Sequence, residues 1–251
     1  MQTSEQFSGR VENYILYRPH YPKDVLLFIE KQLDIDTLVI ADIGSGTGIS
    51  SEIFLKNGNT VYAIEPNKEM RESAEYIHQG DKNFISINAT AEDTSLNSGS
   101  IDLIVCGQAF HWFNKTLTKR EFQRIGSCKA SLLLMWNERK KSSAFQQAYE
   151  NTLCEIALPN EAKASTNMID ERAIRDFFSP NRYVYQSFSH SQHFDFEGLK
   201  GRLQSSSYAP RENHPNHCLM MPKLKHIFDL FRIKDKVEFE YDCKIYFGQL
   251  R

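Results

Sequence analysis

Three glycines, at positions 44, 46 and 48, close an apolar run in V-I-A-D-I-G-S-G-T-G-I-S-S (39–51). Without a Cβ the main chain turns sharply there, and a ligand can approach the backbone itself. An acidic residue, Glu65, ends the next apolar run in A-I-E-P-N. A carboxylate at that place accepts hydrogen bonds from the two hydroxyls of a ribose. Four rings follow one another in Q-A-F-H-W-F (108–113). Large rings at a strand end must pack on something, either the chain's own cap or a substrate. His111 and Trp112 are the candidates for a substrate wall, and an imidazole titrates near neutrality, so His111 is also the candidate base. A second aromatic and cationic cluster, R-P-H-Y-P (18–22), is stiffened by two prolines.

These residues need elements to position them. Apolar, β-rich runs recur at 38–43, 60–64, 84–87, 101–106 and 131–136. Helical patterns lie between most of them. Thr47 to Asn57 carries Ile49, Ile53 and Phe54 on one face. Asn67 to His78 carries Met70, Ala74 and Ile77, with Asn67 as N-cap and Gly80 as stop. Further helices are predicted over 23–33, 143–157, 170–178 and 220–231, and a strand over 237–248. A polar, aromatic stretch at 182–196 follows the helix over 170–178 and precedes the one over 220–231. Alternating strand and helix predicts an α/β, doubly wound, mostly parallel sheet with right-handed crossovers. Two late strands joined by a short link are expected as its antiparallel edge. The expected organisation is one domain over 1–251. Its core is 35–137, its cap is 1–34 with about 140–220, and its last strand is 237–248. In such a sheet ligands bind at the carboxyl ends of the strands, where Gly44 and Gly46 fall. The helix starting near Thr47 aims its positive end at the same place, which favours an anionic group.

Composition narrows the partners. Lys plus Arg is 30 and Asp plus Glu is 32, with no basic block, so no extended nucleic-acid surface is expected. No apolar run approaches the ~20 residues of a membrane span, and the first residues lack a signal-peptide pattern. The five cysteines are scattered, odd in number and without C-x-x-C. That pattern predicts free thiols in a reducing, cytoplasmic setting and no metal centre. Nothing here assigns an oligomeric state.

Strand, glycine turn, helix, strand and acid together predict an adenosine-type ligand. Two readings of the turn remain open. A dinucleotide fingerprint, G-x-G-x-x-G/A, requires a small residue where Ile49 stands, which counts against a pyrophosphate site. The spacing G-x-G-x-G after D-I resembles class I S-adenosylmethionine-dependent methyltransferases. V-I-A-D-I-G-S-G-T-G resembles that family's first motif and V-Y-A-I-E-P-N-K-E-M its second. A-T-A-E-D-T-S-L (89–96) is similar to its adenine-lining segment, and S-I-D-L-I-V-C-G-Q-A-F-H-W-F (100–113) to its fourth strand and following loop. Q-A-F-H-W-F and the opening F-S-G-R-V-E-N-Y-I-L-Y-R-P-H-Y-P are similar to the trans-aconitate methyltransferase-like subgroup.

The resemblance implies a Rossmann-like, seven-stranded sheet with an antiparallel last strand, a helical cap, and S-adenosyl-L-methionine as cofactor. It implies that Gly44, Ser45 and Gly46 face the methionyl part and ribose, with Asp42 bracing the turn or reaching the amine. Glu65 would hold the ribose, and Pro66 and Asn67 would flank the adenine. Ala91 and Glu92 would meet its other edge. Thr90 stands where the related pattern often has Asp. Gly107 and Gln108 would meet the methionyl amine. Tyr17, Arg18, Tyr21, His111 and Trp112 would serve the acceptor, Arg18 as a bidentate partner for an acid. The absence of a D/N-P-P-Y/F tetrapeptide after the fourth strand favours a small-molecule acceptor, and the subgroup implies a carboxylic acid. Alternatives are a nicotinamide-dependent oxidoreductase, and a non-catalytic binding module that keeps the turn and Glu65 without an acceptor pocket.

Overall fold

The computed structural model describes residues 11–156, 170–206, 209–210 and 216–250. The F-S-G-R motif (7–10), Tyr208 and the 157–169 and 211–215 parts of the expected cap lie outside the described residues, as does the side chain of Tyr14.

Seven strands form one sheet: β1 (Val39–Ile43), β2 (Thr60–Ile64), β3 (Phe84–Ile87), β4 (Ile101–Gly107), β5 (Gly126–Arg139), β6 (Tyr183–Phe194) and β7 (Val237–Gln249). Their order is β3-β2-β1-β4-β5-β7-β6. β1 to β5 are parallel, and β7 runs antiparallel to both β5 and β6. β1 therefore borders the point where strand order reverses, between β2 and β4. The carboxyl ends of β1, β2 and β4 meet there.

Alternation along each central strand sends side chains to two covered faces. Leu103, Val105, Leu133 and Met135 pack on one face with α2 (Asp24–Glu30) and α3 (Ile49–Leu55). Ile104, Cys106, Leu132, Leu134 and Trp136 pack on the other with α5 (Lys115–Ile125) and α7 (Glu171–Phe178). A third cluster joins Phe194, Phe239 and Tyr241 to α6 (Ala144–Ile156), α8 (Phe196–Gln204) and α9 (His217–Phe231). α1 (Val11–Tyr17) lies against α8.

Capping follows the predicted chemistry. The Asn67 side chain accepts from Met70 N at 3.0 Å and starts α4 (Lys68–Ile77). Met70 and Ala74 are buried as expected, but Ile77, the last residue of the helix, is exposed. Two expectations about the second half need correction. The stretch 183–194 is a sheet strand, not cap, and pairs with β7 over its full length. Its link to β7 is not short: α8 and α9 intervene and cover the far end of the sheet.

Candidate functional site

The glycine turn follows β1 directly. Gly44, Gly46 and Gly48 all have positive φ, at 68, 58 and 84°. Gly44 is needed for close approach as well: a Cβ there would stand 2.6 Å from Ala109 Cβ and 3.2 Å from Phe113. Beside Gly46 a Cβ would meet nothing within 4 Å, so the turn borders open space.

Four N–H groups of this turn are already committed. Gly44 N and Ser45 N both donate to the Ile64 carbonyl, at 2.9 and 3.1 Å, and Gly48 N donates to Ser45 O. Gly46 N donates to Glu65 Oε2 at 2.9 Å, while Asn67 N donates to Oε1 at 2.7 Å. Glu65, 9% exposed, is thereby aimed at the turn. Arg71 braces the same corner by donating to the Glu65 carbonyl at 3.0 Å. Burial pushes the Glu65 carboxyl up despite its two backbone donors and Arg71.

Asp42, the penultimate residue of β1, is fully buried. Ser50 and Ser51, in the first turn of α3, both donate to its Oδ2 at 2.7 Å. Oδ1 has no partner among the described residues. Burial raises this carboxyl to about 6, against the two hydroxyls, and nearby Glu65 adds to the rise. Two carboxylates thus face a turn whose Gly44, Ser45, Gly46 and Gly48 N–H groups are taken, while the Ser45 and Thr47 hydroxyls have no partner among the described residues. That local field disfavours an anion, contrary to the expectation from the helix end, and favours a ligand with hydroxyls and positive charge.

Past β4, Gln108 adopts a positive φ of 60°. Its Nε2 donates to the Asn137 carbonyl at 3.2 Å, and its buried Oε1 has no partner among the described residues. Gly107 faces the N-terminal segment: a Cβ there would lie 2.7 Å from the Tyr21 hydroxyl and 2.9 Å from Ser50. Phe110 is core, edge-on to Phe177 at 4.9 Å and to Trp136 at 6.3 Å. His111 lies 4.5 Å from the Trp112 ring, which is 39% exposed. Burial, with nearby Lys115 adding like-charge repulsion, lowers the His111 imidazole to about 4.

The remaining predicted residues fall in three places. Ala91 is buried, while Pro66 and Thr90 are exposed at the same rim. The Glu92 carboxylate is engaged with the start of α5, accepting from Asn114 N at 2.8 Å. Tyr17 lies over Gly201 of α8, where a Cβ would come within 1.9 Å of its ring. Arg18 Nη2 donates to the Ser205 carbonyl at 2.7 Å. Tyr21 alone of this group reaches the end of β4.

Several residues here are ones that sequence reasoning passed over. Ser50 and Ser51 are hydroxyls directly after the glycine turn, a signal that was readable. Asn137 was marked only by being a polar residue at the end of an apolar strand. Phe113, pressed on Gly44, was taken equally for core or pocket. His190, on β6, carried no local signal.

An adenosylmethionine-type ligand fits this site on three observations: the open space beside Gly46, the fixed Glu65 carboxylate, and the partnerless acceptors Asp42 Oδ1 and Gln108 Oε1. Fold and site together are similar to those of S-adenosylmethionine-dependent methyltransferase domains of the class I type. In agreement, residues 41–128 match the methyltransferase domain family. The chain is 26% identical over 141 residues to an uncharacterized methyltransferase of Schizosaccharomyces pombe, covering 54% of each chain. It is 31% identical over 119 residues to a Saccharomyces cerevisiae protein provisionally assigned as an S-adenosylmethionine-dependent methyltransferase, covering 46% of this chain and 40% of that one. The chain thus spans about half the length of these relatives. Its fold is similar to that of a provisionally assigned type II methyltransferase from Anaeromyxobacter dehalogenans, with a TM-score of 0.66 and 16% identity over 93% of this chain and 98% of that one. Among the described residues no helix is long and apolar enough to cross a membrane.

Proposed function

We propose that this chain transfers a methyl group from S-adenosylmethionine to a small-molecule acceptor, and that the acceptor is a carboxylic acid. The observation that carries the first part is the condition of the glycine turn. The N–H groups of Gly44, Ser45 and Gly46 are spent on Ile64 and Glu65, and the carboxylates of Asp42 and Glu65 stand beside the turn. A pyrophosphate would find those backbone donors taken and the field of two carboxylates against it, which weighs against the nicotinamide alternative.

When bound, the cofactor supplies a methyl group on a positively charged sulfur. The chain's residues bind and orient. Glu65 uses its remaining lone pairs for the ribose hydroxyls. Asp42 Oδ1 and Gln108 Oε1 accept from the methionyl ammonium. Pro66, Thr90 and Ala91 line the adenine, and Glu92 acts indirectly, by holding the start of α5.

The acceptor reading rests on a pair of cations beside the segment 18–21. The guanidinium groups of Arg18 and Arg202 converge on one residue: Arg18 Nη2 on the Ser205 carbonyl at 2.7 Å, and Arg202 Nη1 on its hydroxyl at 3.5 Å. Two cations so close favour an anionic acceptor. A carboxylate is already nucleophilic, so orientation and exclusion of water supply the catalysis. His111, held neutral and weakly basic, serves with Trp112 as wall. Turnover then survives His111→Gln with a raised acceptor KM.

The test is binding of adenosylmethionine and of NAD(P), followed by a screen of small acids, phenols and amines with methyl-labelled cofactor, the product being read by mass. Saturable binding of adenosylmethionine and labelling of an acid are expected. Saturable binding of the nicotinamide cofactor alone overturns the function, and labelling of only phenols or amines overturns the acceptor class.

A further inference from the structure

The apolar run of β5 ends at Asn137, which is 6% exposed. Four segments far apart in the chain meet at this residue. Its Nδ2 donates to the carbonyls of Pro19 and His20, at 3.2 and 3.3 Å. Its Oδ1 faces Nε2 of His190 on β6 at 2.9 Å. Its main-chain carbonyl accepts from Gln108 Nε2 at the end of β4. Because Nδ2 is the donor to the two carbonyls, Oδ1 is an acceptor, and His190 must carry its proton on Nε2. The His190 ring is stacked on Tyr241, 5.3 Å away, which fixes its plane.

The segment held by Asn137 is R-P-H-Y (18–21). It is also tied at both ends. Arg18 reaches Ser205 on one side, and the Tyr21 hydroxyl fills the space left by the missing side chain of Gly107 on the other. It therefore crosses the carboxyl ends of β4 and β5, between the cofactor turn and the Arg18–Ser205–Arg202 corner. Its two carbonyls need donors at mid-span, and Asn137 supplies both.

We propose that Asn137 is the positioning residue that seats the segment 18–21 as a fixed wall of the acceptor site, with His190 orienting the Asn137 amide. The wall's use for an acceptor rests on the methyl-transfer reading; the seating itself does not. No other neutral side chain of this size offers both the two donors and the acceptor. Asn137→Asp keeps the volume and the acceptor for His190, but turns an oxygen on the two carbonyls. A residue that merely filled space would tolerate that change.

The test is amide hydrogen exchange on the full-length, cofactor-free chain, with melting temperature as a control. In Asn137→Asp the His20 and Tyr21 amides are expected to exchange about tenfold faster or more, because the carbonyls of the same two peptide groups lose their bonds to Asn137 and the segment opens more often. Exchange in β1 and β4 stays as in the parent. The acceptor KM rises about tenfold while kcat changes less, as expected for a displaced wall. His190→Phe retains the stacking on Tyr241 and removes the Nε2–H; it is expected to raise exchange in the same segment by a smaller factor. It also decides the matter if Asn137→Asp does not fold. Unchanged exchange of His20 and Tyr21 in a folded variant overturns the proposal. Failure to bind adenosylmethionine with the exchange result intact overturns the methyl-transfer reading and leaves the seating in place.

Discussion

At the residue scale the site is a balance between two buried carboxylates and the ligand they await. Glu65 is held by the N–H groups of Gly46 and Asn67. Glu65→Gln places an amide N–H₂ against one of these donors and removes the charge. We expect adenosylmethionine affinity to fall by about 10- to 100-fold, read by calorimetry, since charge-assisted bonds are the stronger kind. Asp42 makes the opposite kind of test. Its carboxyl is raised from 3.8 to about 6 by burial. Between those values the folded chain keeps a proton that the unfolded chain has released. Stability from this group is therefore present at low pH and lost as pH rises toward 6. Asp42→Asn should raise the melting temperature at pH 7. The limit is about 3 kcal/mol, reduced because the new N–H₂ takes a place that has no partner. The same variant should bind cofactor more weakly, so stability and affinity move in opposite directions. A parallel fall of both sinks the assignment of Asp42 as a ligand-facing carboxylate.

At the element scale the site depends on how helices and strands end. Asn67 caps α4 with its side chain while its own N–H holds Glu65. Asn67→Ala should cost about 1 kcal/mol in denaturant unfolding, the usual worth of such a cap. It should weaken cofactor binding far less than Glu65→Gln, because the backbone donor remains. The end of β4 depends on close approach. In Gly107→Ala the new methyl would stand 2.7 Å from the Tyr21 hydroxyl and 2.9 Å from Ser50. Both the segment 18–21 and the Ser50–Asp42 bond would have to shift. Loss of acceptor saturation together with a weakened cofactor affinity is expected from steady-state kinetics and binding. A variant with neither effect contradicts the packing described.

At the scale of the whole molecule, a ligand that binds only the folded chain stabilises it by mass action. At a concentration of about 100 times the dissociation constant, adenosylmethionine should add about 2.7 kcal/mol, seen as a rise in melting temperature, and NAD(P) should add nothing. The sheet makes this gain global. The glycine turn follows β1, Glu65 follows β2 and Gln108 follows β4, so a ligand held by all three would tie three central strands. The cap contributes differently. Its α8 and α9 pack on Phe194, Phe239 and Tyr241 of the sheet to build the third cluster, and α8 carries the buried Arg202, which donates to the Tyr241 hydroxyl.

The glycine turn, Glu65, the Asn67 cap and the first five strands could all be read along the chain, because each follows from patterns local to a few turns of helix or a few strand residues. Glycine spacing and strand–helix alternation are local properties, and so were legible without coordinates. Asn137 with His20 could not be read in that way, since the two stand 117 residues apart in sequence. Neither could His190, nor the commitment of the turn's N–H groups to Ile64, nor the placement of 183–194 in the sheet. Such facts depend on which strand lies beside which, and that is settled by burial of whole faces and not by any neighbouring residues. The amino-acid order thus pointed to an adenosine-type ligand, while folding alone brought the segment 18–21, Asn137 and His190 together.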